Sequence, residues 1–170
     1  LKDSEPHLAS LPIRATLMRG APAAHDALAP LFEESALATP AGNERAVGVL
    51  HALQRDAALA RGARALAGDR HHGWLDADPR WVDLLLRLLP RDGIGWNALQ
   101  ALPFATDARV LPALLGRLGE DELPDVLEAL QAHGDPAAIP ALEERLAKTR
   151  KKGESAKIQA LIDNLRARSA

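Results

Sequence analysis

The residues best equipped for chemistry fall in one stretch, Asp69 to Trp81. It holds His71 and His72, the carboxylates Asp69, Asp76 and Asp78, and the indoles of Trp74 and Trp81. Imidazole and carboxylate are common ligands of transition metals. Adjacent histidines diverge, however, and the chain has no H-x-x-x-H pair to set two imidazoles on one helix face. The stretch therefore reads as a polar loop between helices, with Asp78 as the N-cap of the second. No metal site is expected.

Other catalytic constellations are missing from the sequence. Serines stand at positions 4, 10, 35, 155 and 169, and none lies in G-x-S-x-G. There is no glycine-rich phosphate loop. With no cysteine, thiol chemistry, disulfides and thiolate metal sites are excluded. No residue set demands the deep apolar pocket of an enzyme acting on a small cofactor. The expectation is a non-catalytic protein without cofactor. Trp74, Trp81 and Trp96 are of the residue type that most often anchors interfaces and that stacks bases in single-stranded nucleic-acid binders. The reading favoured for each is a large ring filling space between an irregular N-terminal half and a regular C-terminal one.

The elements around these residues are helical. Ala and Leu form about two-fifths of the chain, and both favour helix. Aromatic content is 3%, and no alternating β-branched run occurs, which argues against strands. No apolar run approaches the ~18 residues of a bilayer span. The net charge of −2 disfavours a general nucleic-acid binder. The first residue is Leu1, so the chain reads as a processed product or an excised piece, and its compartment stays open.

A repeat organises the second half. Asp107–Leu118 aligns with Asp135–Leu146 at an offset of 28 residues, and Asp78–Leu89 aligns with the first at 29. Leu99 and Leu102 correspond to Leu127 and Leu130, again 28 apart. Periods of ~20–50 residues mark solenoid repeats. Each unit predicts a first helix, a short break, an aspartate N-cap and a second helix. Pro112 and Pro140 share a place near the start of that second helix, which predicts a bend or a late start. The segment Pro79–Leu89 is apolar almost all round, so burial on several sides is expected. Gly48, Gly62 and Gly116 fall within predicted helices, where close helix approach is the natural reason.

Upstream, the pattern predicts helices over Ala24–Ala38, Ala46–Leu53 and Ala57–Leu66, with Thr39–Gly42 closing the first and a split near Asp56 between the others. Residues 1–22 carry three prolines and read as an arm or capping element. A last helix, Glu154–Ala167, aligns Ile158, Leu161, Ile162 and Leu165 on one face. Charge is uneven. Residues 120–147 hold eight acids against one base, a balance of −7, and residues 148–170 hold seven bases against two acids, a balance of +5. Helix-end charges of this kind complement macrodipoles, and adjacent acidic and basic helices can pair.

The segments Ala98–Leu102, Asp107–Leu118, Leu127–Leu130 and Gly134–Leu142 resemble the short HEAT-like repeats first associated with phycobilin lyases. That resemblance covers about 70 residues well, within the size of a small domain. It implies an α-α superhelix of about nine helices, by the ordinary helix length. Residues 1–22 would form the arm, 23–77 an irregular helical part, and 78–170 the hairpins with a C-terminal capping helix. It also implies that second helices line a concave face. Such repeats serve as scaffolds, adaptors and chromophore-lyase subunits. One branch comprises alkylpurine DNA glycosylases, whose paired Trp and Asp are weakly matched by Trp74 and Asp78.

The function expected is a scaffold or adaptor binding a protein partner. A nucleic-acid-binding relative of the HEAT-like DNA glycosylases is the alternative. The partner-binding residues expected are Arg80, Arg87, Arg109 and Arg117 on the second helices, with His72 and Trp74 in the loop before them. Reversing charge at Arg109 and Arg117 together is expected to weaken partner capture from a lysate at least tenfold while the circular-dichroism spectrum stays native.

Overall fold

The computed structural model describes residues 21–67, 74–119 and 123–169. Among these residues are ten α-helices, three 3-10 turns and no strand. The described residues are all-helical in their regular structure, as the Ala- and Leu-rich composition predicts. The chain divides into two compact units, residues 1–107 and 108–170. Of the arm expected at residues 1–22, the first twenty residues lie outside the described set.

In the first unit, helix α1 (Ala21–Leu28) passes into a 3-10 turn (Ala29–Phe32). Pro30 explains the change, because it lacks an N–H and its ring crowds the preceding turn. Glu33 is then extended, with ψ at 152°, and a four-residue helix α2 follows (Glu34–Leu37). The single helix expected over Ala24–Ala38 is thus three pieces.

Helix α3 (Pro40–Ala67) runs unbroken for 28 residues, about 42 Å at 1.5 Å per residue. The expected split at Asp56 does not occur. Ala46, Val49, Leu50, Leu53 and Ala57 are all buried, so the apolar stripe steps across Asp56 without losing phase. Thr39–Gly42 follows the end of α2 and also opens this helix. Pro40 takes the first helical position, where its missing N–H costs nothing. The Gly42 N–H donates to Thr39 Oγ1 at 3.1 Å, and that hydroxyl donates to Ala36 O at 3.0 Å. A Cβ on Gly42 would sit 2.0 Å from Ala36 O, so no other residue fits.

Helix α4 (Trp74–Ala77), α5 (Arg80–Leu88) and α6 (Gly95–Ala101) complete the unit, with a 3-10 turn at Leu102–Phe104. Trp81, Val82, Leu84, Leu85 and Leu88 are buried, so α5 has the multi-sided burial its composition predicts. α6 packs along α3 and against α5. Gly93 has φ of +76°, and a Cβ on Gly95 would meet Leu89 O at 2.5 Å. Both glycines tighten the turn between α5 and α6.

In the second unit, α7 (Val110–Gly116) precedes α8 (Leu123–His133), a 3-10 turn (Pro136–Ala138), α9 (Ile139–Lys148) and α10 (Lys152–Ser169). α8 contacts α7 and α10, and α9 also packs on α10. Gly134, at φ +76°, ends α8, and its N–H donates to Leu130 O at 2.9 Å. Asp135 Oδ1 then accepts from Ala137 N at 2.8 Å and caps the 3-10 turn, whereas α9 itself opens after Ala138 with no side-chain cap. α7 opens after Arg109 with no side-chain cap. Pro140 is the second residue of α9, the late start expected of the repeat. Ile158, Leu161, Ile162 and Leu165 are buried, as their spacing predicts. Gly116 departs from expectation. Nothing lies within 4 Å of a Cβ there, so it marks the end of α7 and not a close approach.

The cap of α3 makes a measurable contribution. Thr39→Ala is expected to lower stability by about 1 kcal/mol in urea titration, the ordinary cost of an N-cap. Gly42→Ala should cost more, about 2–3 kcal/mol, since backbone must move to admit the methyl group.

Candidate interaction surface

Arg80 stands at the start of α5 and is committed internally. Its backbone N–H donates to Asp78 Oδ1 at 3.0 Å, which makes Asp78 the cap that the sequence predicts. Its guanidinium donates to both Asp78 oxygens and, at 2.6 Å, to Asp26 Oδ1 on α1. Asp78 is only 5% exposed and Arg80 is 43% exposed. The hydrogen bond from Arg80 holds the Asp78 carboxyl below its ordinary value of 3.8, against the opposing effect of burial. Asp78 and, to a lesser extent, Asp26 raise the Arg80 pKa. A carboxylate held this firmly ionised is an anchor, not a proton shuttle. The pair ties α1 to α5, and the same contact brings His25 edge-on to buried Trp81, with ring centroids 5.0 Å apart.

Asp76 is also engaged, accepting from Thr106 N at 2.8 Å and Thr106 Oγ1 at 2.9 Å. Arg61 donates to Pro103 O at 2.7 Å and lies over the Phe104 ring at 5.0 Å. Buried Asn97 meets His51 Nε2 at 3.1 Å, which fastens α6 to α3. These polar groups stabilise helix junctions. Among the described residues no group of three or more His, Asp or Glu could hold a metal ion.

The other expected binding residues divide between the units. In the first, Arg87 is exposed on the last turn of α5. Trp74 opens α4, and its side chain lies outside the described set, as does all of His72. In the second, Arg109 is exposed, whereas Arg117 is half-buried with its Nε shut off from solvent. Arg145, its repeat equivalent, is the same in both respects. Both arginines lay an aliphatic stem along the protein and offer only the tip of the guanidinium. The basic C-terminal helix is partly neutralised. Arg166 pairs with Glu143 across α10 and α9, Lys151 pairs with Glu154, and Lys148 pairs with Glu144.

One residue is more exposed than its sequence reading suggests. Trp96, on α6, is 46% exposed, whereas Trp81 fills the interior as expected. The sequence holds a signal for this. Asn97, Ala98, Leu99 and Ala101 form the buried side of α6, and Trp96 lies two residues from Ala98, about 200° away on a helix that turns ~100° per residue. Trp96 and Arg87 flank the same connection, residues 89–94, and Pro90, Asp92 and Gly93 within it are exposed. The result is an aromatic and cationic helix-turn-helix corner.

No helix among the described residues is long and apolar enough to cross a membrane. No family model, curated protein or solved structure matches the chain.

The Arg80–Asp78 pair gives a pH dependence with a defined sign. The Asp78 pKa is lower in the folded protein, so its contribution is complete above 3.8 and is lost as pH falls through the lowered folded-state value. Asp78→Asn is expected to destabilise the protein by about 1–2 kcal/mol at pH 7, from a weakened cap and a lost, partly exposed ion pair. The gap between wild type and variant should stay constant down to about pH 4 and close below it, as read by urea titration at each pH.

Proposed function

We propose that the protein is a HEAT-like helical-repeat module that binds another protein and acts as a scaffold or adaptor, within a larger chain or assembly. The observation that carries this reading is Trp96, a large indole left 46% exposed beside a tight, glycine-built turn. Tryptophan and arginine are the side chains most enriched among residues that dominate binding energy. Trp96 and Arg87 stand on two helices fixed to the core by Leu85, Leu88, Ala98 and Leu99, so the surface is pre-organised and little ordering opposes association.

The repeat reading has local support. Leu99 and Leu102 are buried, and so are their repeat partners Leu127 and Leu130. Pro112 and Pro140 both fall in the first turn of their helices. Arg117 and Arg145 share the same half-buried setting. These pairs, each 28 residues apart, share their environments, as equivalent positions of a repeat protein do.

Affinity capture from the source organism's lysate, with the native chain and Trp96→Ala as baits, tests the proposal. The native bait should retain a protein that Trp96→Ala loses, with at least a tenfold fall in affinity on titration of that protein. Equal retention by both folded baits overturns the surface assignment. Recovery of nucleic acid with steep salt dependence overturns the protein-binding reading in favour of a phosphate-binding one.

A further inference from the structure

A depression of about 430 Å³ opens in the second unit where the N-terminal ends of α8 and α10 come together. Leu123, Pro124 and Leu127 of α8 line one side, and Lys151, Gly153, Glu154 and Lys157 at the start of α10 line the other. Leu123 and Leu127 are largely buried and form an apolar floor, whereas Pro124, Lys151, Gly153 and Lys157 are exposed at the rim. Gly153 leaves its wall open, with nothing within 4 Å of the position a Cβ would take.

The polar rim is unequal. Lys151 and Glu154 satisfy each other at 2.9 Å. Lys157 is exposed and makes no ion pair or hydrogen bond with any described residue. Arg150 and Lys152 beside it are exposed in the same way. Both helices direct the positive ends of their dipoles toward this end of the unit.

We propose that this depression docks an acidic, leucine-bearing segment of the partner protein. One leucine-sized side chain sits on Leu123 and Leu127, and a flanking carboxylate pairs with Lys157. The volume is near the lower end of what small-ligand sites offer, which leaves room for a leucine side chain together with its adjoining peptide atoms. The charge fits as well, because Lys157, with no partner among the described residues, stands at the rim of an apolar floor. The inference rests on the protein-binding reading and names the chemistry of the partner.

Fluorescence anisotropy with the full chain tests it. The probe is a fluorescein-labelled hexapeptide with two central leucines between pairs of glutamates. Controls replace the glutamates by lysines, or the leucines by serines. Native protein should bind the first peptide at least tenfold more tightly than either control. Gly153→Trp, which fills the depression from its open wall, should weaken binding about tenfold, and Lys157→Glu about fivefold. Both positions are exposed, and circular dichroism confirms that the variants fold. Equal binding of the three peptides, no binding by native protein, or an affinity unchanged by either variant overturns the proposal. Such a result alongside Trp96-dependent capture removes this depression alone. Loss of Trp96-dependent capture removes the broader reading.

Discussion

Helix α3 can hold 28 residues in one rod only because its buried stripe has somewhere to go. An isolated amphipathic helix gains little from its own hydrogen bonds, and packing supplies most of its stability. Ala46, Val49, Leu50, Leu53 and Ala57 give α3 a narrow apolar face, and α6 lies along it with Ala98, Leu99 and Leu102 buried. The contact is closed by polar clasps at both ends. His51 meets Asn97, and Arg61 reaches Pro103 O. α2 and the first 3-10 turn pack on α3, and α5 packs on α6. The first unit is thus organised around one helix pair.

The small residues in that pair matter as much as the large ones. Alanines at the contact let helix axes approach, and leucines fill what remains at native density. This explains how a chain with 3% aromatic residues still builds a core. The second unit uses a related economy. α10 packs on both α8 and α9 and buries Ile158, Leu161, Ile162 and Leu165, so one amphipathic helix covers two neighbours. Its charged face pairs with its neighbour through Arg166 and Glu143.

Legibility of the fold from sequence followed the range of the forces involved. The stripe of α10, the aspartate cap at Asp135 and the multi-sided burial of α5 depend on spacing within a few residues, and all were readable. Thr39-Pro40 was ambiguous because the same dipeptide can end one helix and begin another. The decision lies with Gly42 pressed beneath Ala36 O, a contact that periodicity does not encode. Asp56 looked like a break because aspartate favours caps, yet its helical cost is below ~1 kcal/mol and packing outweighs it. For the candidate surface, the types of Arg87 and Trp96 were visible, but their exposure followed from helix phase. Arg80 could not be judged from sequence at all. Its partner Asp26 is 54 residues away.

The edge-on contact of His25 with Trp81 gives the molecule an internal optical reporter. A buried indole emits at shorter wavelength than one bathed in water, and the His25 ring 5.0 Å away is close enough to modulate that emission. Trp81 and Trp96 therefore occupy opposite ends of the emission band, one sensing the interior of the first unit and the other its surface. Unfolding of the α1–α5 junction and occupation of the α5–α6 corner would shift emission in different ways, so in a chain with Trp74 replaced by phenylalanine intrinsic fluorescence tells one event from the other.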